Sequence, residues 1–271
     1  FFFLLLLPCL ALAGVLGRGS PPALTAASDA AIPVSADNWG LSFPEEGQTP
    51  VGNATAEFLS QYDAWYVGDT SRKVIYLTFD CGYENGNTEA ILDALKKHNA
   101  PAAFFVVGHM VESAPDIVRR MAAEGHLVCN HSVNHKDLSA ASPDFFQKEI
   151  GGLCEKYEAI TGTPMPRYVR PPEGKYSENF LELCRAQGYL PVFWSFAYKD
   201  WLNDAQPAPA QAIETILSRT HPGEVALLHS TSATNAEILG ELIDRWRAEG
   251  YALKSLDDLA REQGLAVPQE G

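Results

Sequence analysis

Val74-Ile75-Tyr76-Leu77-Thr78-Phe79-Asp80-Cys81-Gly82 is an apolar, β-branched and aromatic run that stops at an acid and a thiol. Shortly after it, Ile91, Leu92 and Leu95 recur at the spacing of one helix face. A strand feeding directly into a helix is the unit of a parallel sheet, because the chain must cross over before it can run in the same direction again. That unit recurs along the chain. Strands are predicted over 74–79, 102–107, 126–130, 168–170, 190–195, 224–229 and 251–254. Helices are predicted over 88–98, 114–124, 143–161, 177–187, 209–220, 235–249 and 256–262. Gly125, Gly188 and Gly250 each close a helix just before a strand. The near-continuous apolar run Val225-Ala226-Leu227-Leu228 fits a sheet covered on its outer face.

The class is therefore α/β with a parallel sheet. Asp80, His131, Arg170, Trp194-Ser195 and His229 all fall at or just after strand C-terminal ends. In a parallel barrel those ends converge on one face, where chemistry sits.

Around this unit the chain has other texture. The start, Phe1-Phe2-Phe3-Leu4-Leu5-Leu6-Leu7-Pro8-Cys9-Leu10-Ala11-Leu12-Ala13, reads as the apolar core of a signal peptide with a small-residue cleavage site, or as a membrane anchor, over residues 1–16. With no initiator Met and no basic n-region, the numbering is expected to begin inside a longer precursor. Residues 17–37, rich in Ala, Ser, Pro and Gly, read as a linker. Residues 38–72, with Asn38-Trp39-Gly40 and Trp65-Tyr66, read as an ordered but irregular N-terminal extension packed on the barrel. The regular domain runs over 73–264. Everything after the leader is expected to work outside the cytoplasm.

Of 271 residues, 46% are hydrophobic and 20% charged, enough for a sizeable core and against global disorder. A net charge of −14 argues against nucleic acid or an anionic membrane surface as the main partner, since both demand a basic face. Membrane contact is expected only through an N-terminal anchor, and the chain is expected to be a monomer. Five cysteines do not make a disulfide framework at this length. Cys129, Cys154 and Cys184 read as packed small residues, with pairing left open in an oxidising compartment.

His131 and His135, four apart directly after a strand, suggest a metal if the loop turns helically. Cys81, His131 and His135 would form a known ligand combination for catalytic zinc, leaving a position for water. The alternative for Cys81 is a small buried residue that binds nothing. Asp80 would then be free to act as a base, and His229 to protonate a leaving amine. Arg170 could pin Asp80 by a charge-assisted pair, and Asp200 could hold the His229 imidazolium. Trp194, Trp201 and Tyr83 could line a sugar groove or belong to the core.

These strings together resemble the polysaccharide deacetylases with a NodB-type homology domain, carbohydrate esterase family 4. The motifs are Thr78-Phe79-Asp80-Cys81-Gly82, His131-Ser132-Val133-Asn134-His135, Arg170-Pro171-Pro172, Lys199-Asp200-Trp201 and Leu227-Leu228-His229, over roughly residues 73–262. The resemblance implies a distorted seven-stranded (β/α) barrel that removes acetyl groups from glycans with a divalent metal. Within the family the likeness is to the δ-lactam-biosynthetic peptidoglycan de-N-acetylases of sporulating bacteria. It rests on Gly82-Tyr83-Glu84-Asn85-Gly86, Phe193-Trp194-Ser195, Leu227-Leu228-His229-Ser230 and Tyr66-Val67-Gly68-Asp69-Thr70. It implies Asp80 as base, His229 as acid, and His131 and His135 as metal ligands. Tyr83, Asn85, Pro172 and Trp201 are implied as substrate-binding residues. The expected substrate is the peptidoglycan strand, with muramic acid N-deacetylation leading to the δ-lactam of spore cortex. The alternatives are N-acetylglucosamine deacetylation in peptidoglycan or chitin, and a glycan-binding protein that lost its chemistry. A glycosidase would want two facing carboxylates, and the strand ends offer Asp80 without a clear partner. Cys81 stands where the family's second aspartate, its usual metal ligand, is found. A thiolate there would favour zinc over magnesium or manganese.

Overall fold

The structure, a computed structural model, describes residues 37–268. The expected leader and most of the expected linker lie outside the described residues. Among the described residues no helix is long and apolar enough to cross a membrane.

The centre is a parallel sheet curled into a distorted barrel. Its strands run in the spatial order Phe196–Ala197, Glu224–His229, Val74–Cys81, Ala103–Val106, Leu127–Asn130, Tyr168–Val169 and Leu190–Pro191. Every one of these pairings is parallel. The last strand, Ala252–Lys254, pairs with Val74–Tyr76, while Ala103–Val106 pairs with Thr78–Cys81 further along the same strand. The central strand is thus long enough to hold two partners end to end.

The predicted strand over 190–195 is two strands. Pro191 has no N–H to donate, and after it the chain changes partners residue by residue. Val192 N–H donates to Val169 O, Phe193 N–H to Trp65 O, and Ser195 N–H to Val225 O. This segment therefore spans the gap between the two edges of the sheet. The predicted helix over 143–161 is also interrupted: Pro143–Phe146 passes through a π-turn at Gln147–Gly151 before Gly152–Thr161. A short helix, Gly108–Ser113, precedes the expected one, which starts at Pro115. The three glycines expected to end helices do so with φ of +84°, +71° and +87°, a conformation other residues adopt at a cost.

Strand alternation sorts the core. Val74 and Tyr76 pack in one cluster with Ala103, Phe105, Leu127, Cys129, Tyr168 and Val225. The intervening Ile75, Leu77, Phe79 and Cys81 pack in another, against Ile91, Leu92 and Leu95 of one helix and Ile238, Leu239 and Leu242 of a second. The first set faces the barrel interior and the second faces the helices. Continuing the interior set toward the C-terminal ends brings Thr78, Asp80, His131, Arg170, Leu227 and His229 to one mouth.

The extension closes the side of that mouth. Asp37–Asn38 pairs antiparallel with Lys175–Tyr176. The Trp39 ring lies 4.8 Å from Phe193 and 4.9 Å from Tyr66, and its Nε1–H donates to Trp194 O at 2.9 Å.

Candidate active site

The barrel mouth opens into a cavity of about 520 Å³ lined by Asp80, Gly82, His131, His135, Glu173, Gly174, Trp194, Ala197, Trp201, Leu227 and His229. Asp80 and His229 are register partners on adjacent parallel strands, so the sheet itself sets their spacing.

Arg170 organises the floor. It is fully buried, with its guanidinium 4.1 Å from the Phe105 ring centroid. Its Nη1 donates to Asp80 Oδ1 at 2.7 Å, its Nη2 to Thr78 Oγ1 at 2.9 Å, and its Nε to Val192 O at 3.1 Å. Burial pushes the Asp80 carboxyl up, but the Arg170 cation and the nearby imidazoles outweigh it and hold the group below its ordinary value. Asp80 is therefore an ionised carboxylate with Oδ2 turned to the cavity side, 3.4 Å from His131 Nε2.

His131 Nδ1–H donates to Arg170 O at 2.9 Å, which leaves the Nε2 lone pair toward Asp80 and the cavity. Burial drives its pKa down to about 4, so the ring is neutral. The loop after it does not turn helically. Ser132 and His135 take left-handed φ of +67° and +52° instead, and the two imidazoles meet edge to face at 4.8 Å. The backbone strain thus achieves what helical spacing was expected to do.

His229 faces them. Asp200, fully buried, accepts His229 Nδ1–H at 2.7 Å and the His229 backbone N–H at 2.8 Å. Burial lowers the imidazole pKa, but the Asp200 hydrogen bond and charge outweigh it and raise the balance. The cavity therefore holds a carboxylate that stays ionised beside an imidazole that stays protonated more readily than usual. Trp201, 48% exposed, lies with its ring 5.4 Å from that of His229.

Cys81 is the main correction. The central strand continues through Cys81, so alternation turns its side chain to the helix-facing core while Asp80 faces the cavity. Burial raises its thiol well above the ordinary value, against a thiolate. Among the described residues no group of three or more His, Cys, Asp or Glu side chains is placed to hold a metal ion. The Cys81–His131–His135 zinc set expected from the sequence is not assembled, and the residues present do not fit a metal held by three protein ligands.

Tyr83, Asn85 and Pro172 are not on the cavity wall either. Asn85 and Asn87 both donate to Thr231 O, at 2.8 and 2.9 Å, and Tyr83 OH accepts from Asn203. These side chains tie the loop after the central strand to the loops beside His229. Pro172 is buried, and its neighbours Glu173 and Gly174 form the wall in its place. Glu173 and Thr78 were not expected at the site; the first itself takes a left-handed φ of +57°, and the second is two residues before Asp80 on the same strand face.

The sequence pattern of the polysaccharide deacetylases matches residues 67–192. The peptidoglycan-N-acetylmuramic acid deacetylase PdaA of Bacillus subtilis is 41% identical over 244 residues, covering 90% of this chain and 93% of its own length. The chain belongs to the polysaccharide deacetylase family. The structure of the B. subtilis PdaA, described as a family 4 carbohydrate esterase, superimposes with a TM-score of 0.83 over 86% of this chain and 100% of that one. A family 4 carbohydrate esterase from Bacillus anthracis, 39% identical, follows with 0.71 over 86% and 99%. The similarity to PdaA thus extends well beyond the matched segment.

Proposed function

We propose that the chain removes the N-acetyl group from muramic acid in peptidoglycan. The observation that carries this is the pairing of Asp80 and His229 across one cavity, each held by its own buried partner of opposite charge. Amide hydrolysis needs both a base for water and an acid for the leaving amine. Asp80 takes a proton from water as its oxygen attacks the acetyl carbonyl. His229 gives its Nδ1-anchored imidazolium's Nε2 proton to the sugar nitrogen as the C–N bond breaks, and acetate leaves. Solvent returns Asp80 and His229 to their starting states. Of the residues expected to hold a metal, the two imidazoles face the cavity and Cys81 does not.

The muramic acid substrate is supported by the PdaA likeness over nearly the whole chain. The freed amine shares a sugar with the lactyl carboxyl, so closure of a δ-lactam with loss of water is intramolecular and favoured by proximity. Trp194 and Trp201 offer apolar faces for sugar rings. The reading includes a monomer acting outside the cytoplasm, secreted or anchored through residues 1–16, during spore cortex formation, with 73–264 as the catalytic unit.

The test is acetate release from peptide-stripped peptidoglycan strands, with the digested sugars identified by mass spectrometry. Asp80→Asn and His229→Ala should each lower turnover by about 10²–10⁴-fold. Deacetylated glucosamine in place of deacetylated muramic acid would overturn the substrate assignment. Full turnover in either variant would overturn the mechanism.

A further inference from the structure

Asp200 has a partner that neither the sequence motifs nor the family description brings forward. Asn235, fully buried in the first turn of helix Ala233–Ala248, directs its Nδ2 to Asp200 Oδ2 at 2.6 Å and to His229 O at 3.2 Å. Both of those atoms are acceptors, so the amide nitrogen must face them. Its Oδ1 in turn accepts the Tyr198 hydroxyl. One amide orientation satisfies all three contacts, and the reverse would set oxygen against carboxylate.

The consequence for Asp200 is a division of labour between its oxygens. Oδ2 is fully occupied by the Asn235 amide and the His229 backbone N–H. Oδ1 is left for His229 Nδ1–H. The carboxylate cannot rotate without breaking two short contacts, so the imidazole is held with Nε2 toward the cavity. The helix that supplies Asn235 is itself pinned at its start. Ser232 caps the Asn235 N–H at 3.1 Å and donates to Gln206 Oε1 at 2.6 Å, while Gln206 Nε2 reaches back to Asp200 O at 2.6 Å.

We infer that Asn235, oriented by Tyr198, is a positioning residue that fixes the Asp200–His229 pair for proton delivery to the leaving amine. This rests on the deacetylase reading above. The Tyr198 hydroxyl reaches the pair through the Asn235 amide, and that amide reaches it through Asp200 and the His229 carbonyl, so their effects on turnover are not independent.

The experiment is a double-mutant cycle on the full chain, with acetate release from peptide-stripped peptidoglycan strands as the assay. Losing one hydrogen bond to a charged group predicts that Asn235→Ala lowers kcat about 10–100-fold, with KM within about twofold. Tyr198→Phe should lower kcat about 5-fold. The double variant should be no slower than Asn235→Ala alone. The alkaline limb of the kcat profile should move to lower pH in Asn235→Ala, because a looser Asp200 no longer supports the imidazolium. Multiplicative losses in the double variant, or a loss carried by KM with the limb unmoved, would overturn the inference. A second readout separates this from the functional reading. In ¹⁵N-histidine-labelled protein without substrate, the His229 Nδ1–H resonance should be protected from exchange in the wild type and broadened in Asn235→Ala. If the wild type releases no acetate, the deacetylase reading fails and this resonance alone decides. Equal protection in both proteins would refute the positioning role.

Discussion

Glu224→Gln should remove a large pH dependence from the stability of this barrel. Glu224 opens the strand that ends at His229, and it is completely buried. Its Oε2 accepts the His221 N–H at 3.1 Å, and its Oε1 has no hydrogen-bond partner. His221 Nδ1 lies 3.5 Å away, but its proton is committed to Arg219 O at 2.9 Å. On the ring's far side, Ser195 Oγ accepts the Val225 N–H and donates to His221 Nε2 at 2.9 Å. That proton placement makes His221 neutral, in line with the burial that lowers its pKa, and leaves Glu224 without a counter-charge. Tyr251 also faces Glu224, and it is uncharged.

Burial therefore pushes Glu224 from 4.5 up to about 8. The folded state keeps a proton that the unfolded chain gives up, so this group's stabilising share is complete below the unfolded pKa and is lost as pH rises through about 8. At about 1.4 kcal/mol per pH unit, the loss is on the order of 4 kcal/mol between about pH 5 and about pH 8. Glutamine keeps the shape and the acceptor for His221 N–H but cannot ionise. Its amide N–H₂ meets the unpartnered position, which costs about 1–3 kcal/mol at every pH. Urea denaturation of both proteins across that range measures the difference. The wild type should be the more stable near pH 5, and the gap should close or reverse near pH 8. Parallel curves would mean that Glu224 is ionised throughout as a pair with a charged His221, and the proton placement above would be wrong.

Other perturbations test the site directly. Asp200→Asn cannot satisfy both the His229 ring and the donors at Oδ2, so kcat should fall about 10²-fold or more and the alkaline limb of the pH profile should move down. Cys81→Ala should leave turnover and bound metal, read by elemental analysis, within about twofold of wild type, while costing on the order of 1 kcal/mol in urea denaturation for a small core cavity. A matching loss of metal and activity would restore the thiolate ligand. Trp201→Ala should raise KM for glycan strands about 5–50-fold, because a half-exposed ring beside His229 is placed to stack on a sugar. An unchanged KM would make it a wall residue only.

The order of strands and helices was legible because each apolar run has its own period and each helix its own stop. The strand break at Pro191 was not, although proline is its cause. Apolar residues continue through Val192 and Phe193, and only the partners show that the chain is crossing between sheet edges. Asp80, His131, Arg170 and His229 could be read as one face from their places after strand ends. Cys81 stays undecided between ligand and buried residue in the sequence because of a boundary error of two residues. With the strand ending at Phe79 its side chain was free to turn anywhere, whereas a strand continuing through Cys81 assigns it to the helix side. Tyr83 and Asn85 were expected to contact substrate from an aromatic ring suited to sugars and from their place in the motif that carries the deacetylase likeness. Here they bond to other loops. Asn235 gave no signal, since asparagine early in a helix looks like an end cap and its carboxylate partner is distant in sequence.

Arg170 has a consequence for how this barrel can change. It joins the proposed base Asp80, the ring at His131 through its own carbonyl, and the crossing segment at Val192. Removing Asp80 leaves a buried guanidinium without its counter-charge, a loss of about 3–5 kcal/mol in such pairs. The lesion expected to stop hydrolysis is therefore also a lesion in the scaffold, and a lineage discarding the reaction would have to replace both members of the pair together. Inactive descendants should carry a neutral couple at these two positions, and an enzyme caught between the two steps should be recognisable by how little folded protein it accumulates.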